Sequence, residues 1–101
     1  MREEDNETFF EMVFLPKSLA DHGFRGRDEI EDPLDQLLTS NGFGEVTGGG
    51  SGVRGTNIDF VLESGSLEVA LPVVKRFMRD AKLPPTTRLV QRLPVLQEHS
   101  W

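Results

Sequence analysis

A chain of 101 residues, 37% hydrophobic and 28% charged, carries enough apolar material for one core and one domain, and its composition is not that of a disordered tail. The absence of cysteine excludes a disulfide framework, a thiolate zinc site and a cysteine nucleophile. A formal charge of -6 at pH 7 repels phosphate backbones and anionic bilayers, so neither nucleic acid nor membrane is expected as a partner.

The charge is uneven. Residues 1–35 hold 11 Asp/Glu against 4 Lys/Arg, whereas residues 36–101 hold 6 against 7. The opening MREEDNET is acidic and has no apolar stretch, so it does not read as a signal peptide; a cytoplasmic location is expected, with residues 1–7 a disordered N-terminal segment.

Thr8 to Leu15 (TFFEMVFL) is β-prone and apolar on both sides of a period of two, which marks a central strand ended by Pro16. Residues 16–27 read as a loop of a length that is often functional. In Asp28 to Asn41, Ile30, Leu34, Leu37 and Leu38 recur at helical spacing, with Asp32 as N-cap, Pro33 at the first helical position and Asn41-Gly42 as the stop.

Glu45–Thr47 is a short candidate strand, and Asn57–Glu63 a longer one with Ile58, Phe60 and Leu62 on one side and Asn57, Asp59, Val61 and Glu63 on the other. Between them GGGSGVRG suits a flexible hairpin tip over residues 48–56. After Ser64-Gly65-Ser66, an apolar stripe from Leu67 through Ala70, Leu71, Val74, Phe77 and Met78 to Ala81 predicts a second helix. Pro72 conflicts with a start at Ser66, so the helix either begins near Val69 or kinks. Arg88–Leu93 is the last strand, closed by Pro94, and residues 95–101 form a tail that is a strand extension or a docked end.

This order of strand, helix, strand, strand, helix, strand over residues 8–93 resembles the ferredoxin-like βαββαβ sandwich. The resemblance implies an α+β fold in one domain, residues 8–94, with a four-stranded antiparallel sheet and two helices on one face. It matches no family by function.

Such a topology brings the 16–27 loop, the glycine tip and the Leu83–Thr87 turn to one end of the sheet. His22, Arg25, Arg27 and Arg54 could there surround the backbone of Gly49, Gly50 and Ser51 as an anion pocket, the arginines clamping a phosphate or carboxylate. The same topology sets the acids that open the first helix near the bases that close the second, favourable for both helix dipoles. The sheet face away from the helices would show Asp59, Val61, Arg88, Val90 and Arg92, with one or other side of the first strand. A mixed apolar and charged face of that kind suits a modest protein interface.

Gly50–Gly55 spells GxGxxG, but a strand follows it where a dinucleotide site requires a helix. Arg54-Gly55 matches the opening of the third strand in RNA-recognition domains, yet the stacking aromatics are missing. With only His22 and His99 for proton transfer, no catalytic residue, metal site or cofactor is indicated. The sequence therefore predicts a non-catalytic binding or regulatory domain acting through its sheet face, as a homodimer or with a protein partner. The alternative is a domain binding a small anion or nucleotide through the 16–27 loop and the glycine-rich hairpin.

Overall fold

Strand β1 (Glu7–Phe14) organises the sheet in this computed structural model, which describes residues 7–101. Its side chains alternate between buried and half-buried along the whole strand, so both faces are partly covered, and it pairs antiparallel on both edges. The expected disordered segment falls mostly outside the described residues, except that Glu7 already belongs to β1.

The remaining elements are α1 (Ser18–Asp21), α2 (Asp28–Ser40), β2 (Gly44–Gly52), β3 (Gly55–Glu63), α3 (Leu67–Asp80), β4 (Arg88–Leu93) and β5 (Gln97–His99). The protein is α+β, with one antiparallel sheet in the order β2-β3-β1-β4-β5. Among the described residues, five strands and three α-helices replace the four and two expected. Residues 16–27 contain α1, and the tail folds back as β5 against Leu89–Gln91.

Both longer helices begin earlier than their prolines suggested. Pro33 and Pro72 lie inside α2 and α3, each at the sixth residue. A proline there deletes one backbone hydrogen bond and crowds the carbonyl four residues back. Burial outweighs this: Ile30, Leu34 and Leu38 on α2, and Ala70, Val74 and Met78 on α3, are all fully packed at intervals of four. Asp28, Glu29 and Glu31 also favour the N-terminus of α2, where the helix dipole is positive. Each helix ends in the same hydrogen-bonded motif. Phe43 N–H donates to Leu38 O across Gly42 (φ 67), and Leu83 N–H donates to Met78 O across Lys82 (φ 57).

The glycine run is strand rather than turn. β2 pairs with β3 all the way to Gly52 opposite Gly55, leaving only Val53 and Arg54 as the connection. Gly55 (φ 125) absorbs the conformational demand of this tight hairpin, and a Cβ there would overlap the Phe14 carbonyl oxygen. Glycine was needed for close approach within the ladder rather than for flexibility.

The core lies on one face. Phe10, Met12 and Phe14 of β1, Ile58, Phe60 and Leu62 of β3, and Leu89 of β4 pack with Leu19 of α1, the apolar stripes of α2 and α3, and Leu83. Phe10 and Phe60 stack with centroids 5.3 Å apart. Burial of each such large side chain stabilises the fold by about 1.5–3 kcal/mol. No helix among the described residues is long and apolar enough to cross a membrane.

The β4 end of this face is covered by β5 and the residues after it. Trp101 Nε1–H donates to Thr87 O (2.8 Å), Arg79 Nη1 donates to Trp101 O (3.0 Å), and the His99 ring packs 5.7 Å from Phe10.

Candidate interaction surface

The pairing register fixes what the other face of the sheet displays. Along β1 and β3 the directly opposed residues form rungs: Glu7 with Glu63, Phe9 with Val61, Glu11 with Asp59, and Val13 with Asn57. Two rungs set carboxylate against carboxylate, with an apolar rung between them. Beyond β1, Val90 of β4 lies opposite Glu11, and Glu98 of β5 lies opposite Val90; beyond β3, Glu45 of β2 lies opposite Val61.

Carboxylates directly opposed across a ladder repel one another. The Glu11, Asp59 and Glu98 carboxylates have local compensation here. Arg92 Nη1 sits 3.3 Å from Glu11 Oε1, and Asn57 Nδ2 donates to Asp59 Oδ1 at 2.8 Å. Arg88 donates through Nε (3.0 Å) and Nη2 (2.8 Å) to Glu98 Oε1. That hydrogen bond, with the Glu98 charge behind it, raises the Arg88 pKa above its ordinary value. Among the described residues the face still carries more carboxylates (Glu7, Glu11, Glu45, Asp59, Glu63, Glu98) than guanidinium groups (Arg88, Arg92).

Of the four residues expected to form the interface, Arg88 and Arg92 are exposed, but Val61 and Val90 are only 4% exposed. The apolar groups within reach of a partner are different ones. Phe9 is half-buried opposite Leu93, which is 55% exposed, and Val95 and Leu96 in the following turn are 62% and 69% exposed. Phe9, Glu11, Thr47, Asp59, Arg92 and Leu93 border a shallow depression. Of the two alternatives for β1, the Phe9 side faces outward and the Phe10 side inward; Leu15 lies beyond the strand. Leu93 ends β4 opposite Phe9, and Val95 and Leu96 lie in the turn before β5, a strand of three residues that is too short to show periodicity in the sequence.

The expected anion pocket is assembled only in part. The register does bring the 15–27 connection, the Val53-Arg54 turn and the 81–87 connection to one end of the sheet. Arg27 reaches β2, with Nη1 3.5 Å from Ser51 Oγ, and a Cβ at Gly49 would come 3.4 Å from Arg27 Nε. Arg27 Nε also sits 3.3 Å from Glu31 Oε2. Arg25, with its side chain 93% exposed, pairs with Glu29, and His22 Nδ1 lies 3.0 Å from Ser18 O. Arg54 is exposed in the turn. Gly49, Gly50 and Ser51 are drawn out as strand, opposite Ile58, Asn57 and Thr56, so their N–H groups do not converge as a nest would require. Among the described residues, acids of α2 pair with Arg25 and Arg27 just before the helix, and Arg76 pairs with Asp80 within α3, where an approach between the two helices was expected.

The chain matches no protein-family model, no curated protein and no solved structure. Fold and surface define an α+β domain whose antiparallel sheet is covered by helices on one side and presents the ladder of acidic and apolar rungs on the other.

Proposed function

We propose that this is a non-catalytic protein-binding domain that docks its partner on the outer face of the sheet. In this reading β2, β3, β1 and β4, with α2 and α3, constitute a ferredoxin-like unit extended by β5. The observation that carries the reading is the position of Leu93 beside Phe9, an exposed aliphatic group against a half-buried aromatic, bordered by charges of both signs. Apolar anchors inside a polar rim are the usual anatomy of a non-obligate interface.

The test is co-purification from native extract of the wild-type chain, a Leu93→Glu variant on this face and a Val69→Glu variant on exposed α3. A stoichiometric protein held by wild type and Val69→Glu but lost from Leu93→Glu supports the assignment. Equal loss from both variants, or a strict monomer that retains nothing, contradicts it.

A further inference from the structure

We propose that the occupant of this face is a basic amphipathic helix of a different protein, and not a second copy of this chain. The proposal rests on the sheet-face docking reading and adds the chemistry of the partner.

The rungs supply the pattern. Residues two apart on a strand are about 6.6–6.8 Å apart, so the Glu7/Glu63 and Glu11/Asp59 rungs lie about 13 Å from each other with Phe9/Val61 midway. An α-helix rises 1.5 Å per residue and returns to one face every three to four residues, so positions i, i+4 and i+8 span about 12 Å. A helix laid along β1 with Lys or Arg at i and i+8 and Leu or Met at i+4 therefore sets cation on acid, aliphatic on Phe9, and cation on acid.

Charge decides between partners. A symmetric pairing of two such faces brings carboxylate rungs against carboxylate rungs, with Arg92 already engaged by Glu11. A cationic helix removes the repulsion within each rung instead, and Leu93 beside Phe9 gives its apolar side a landing point.

The probe is a synthetic helical peptide with the Lys-Leu-Lys pattern at i, i+4 and i+8. Its controls are a Glu-for-Lys version and an isomer of the same composition with the spacing scrambled. Binding is read by fluorescence anisotropy and by amide chemical shifts of the full chain. The patterned peptide is expected to bind and to shift Phe9–Val13 and Asp59–Glu63. Its affinity should fall about tenfold or more between about 50 and 300 mM salt, and about threefold or more in Asp59→Asn, as screened charge contacts require. Equal binding of the Glu version or the scrambled isomer overturns the proposal, as do shifts confined to the helical side. A dimer in light scattering that Leu93→Glu dissociates also overturns it, while leaving the docking face itself standing. Loss of the co-purifying protein in Leu93→Glu, with no binding of the patterned peptide, overturns the basic-helix assignment alone.

Discussion

Glu11 and Asp59 stand directly opposite each other on adjacent central strands, one paired with Arg92 and the other receiving a hydrogen bond from Asn57. A fold optimised only for stability would not put two carboxylates on one rung, because like charges so placed are destabilising. Asp59→Asn keeps an oxygen for Asn57 and removes one of the two charges. Urea unfolding should show the variant more stable than wild type by about 0.2–1 kcal/mol. Lower stability would mean that the rung is already satisfied within the domain.

A second prediction concerns the end of α3. Lys82 holds a left-handed conformation (φ 57) at the position where the equivalent residue of α2 is Gly42. A side chain there costs roughly 1–2 kcal/mol, part of which glycine returns as extra freedom in the unfolded chain. Lys82→Gly should therefore stabilise the protein by about 0.5–1 kcal/mol in denaturant titration.

Gly55 gives the opposite expectation. Its φ of 125 and the proximity of the Phe14 carbonyl leave no room for a side chain. Gly55→Ala should cost about 2 kcal/mol or more, whereas Gly65→Ala, with open space around it, should change stability by less than about 0.5 kcal/mol.

The fold was legible wherever pattern and burial agree. The two apolar sides of Thr8–Leu15 pointed to a central strand, and the alternation of Asn57–Glu63 oriented β3 correctly. Legibility failed where a local rule met a stronger tertiary term. Pro33 argued for a late helix start and Pro72 for a start near Val69 or a kink, but Ile30 before Pro33 and Ala70 before Pro72 bury fully and hold the earlier turns. The glycines of β2 read as a turn, and pairing with β3 extended them instead. The outer face was partly visible: Asp59, Arg88 and Arg92 were legible on it but Glu7, Glu45 and Glu98 were not, its valines are covered, and the exposed apolar groups come from a hairpin too short to show periodicity.

His99 supplies a pH prediction. Burial, and next the charge of Lys75, lower its pKa from the ordinary 6.5, while Gln91 Oε1 lies 3.1 Å from Nε2. The folded state then takes up this proton less readily than the unfolded state. The corresponding stability is fully present above about pH 6.5 and is lost as the pH falls through the folded value. Trp101, the single tryptophan, lies two residues on and reports docking of this segment. Between about pH 7.5 and 5.5 its emission should shift to the red, and less so in His99→Gln, which cannot titrate. The same red shift in both proteins would assign the effect to other groups.

Photo-crosslinking tests the docking face most directly. A photoreactive amino acid is placed at Val13, on the outer sheet face, or at Val69, exposed on α3, and each chain is irradiated in native extract. The account predicts one discrete adduct of a different protein from position 13 and none from position 69. A discrete adduct from position 69 with none from position 13 would contradict it.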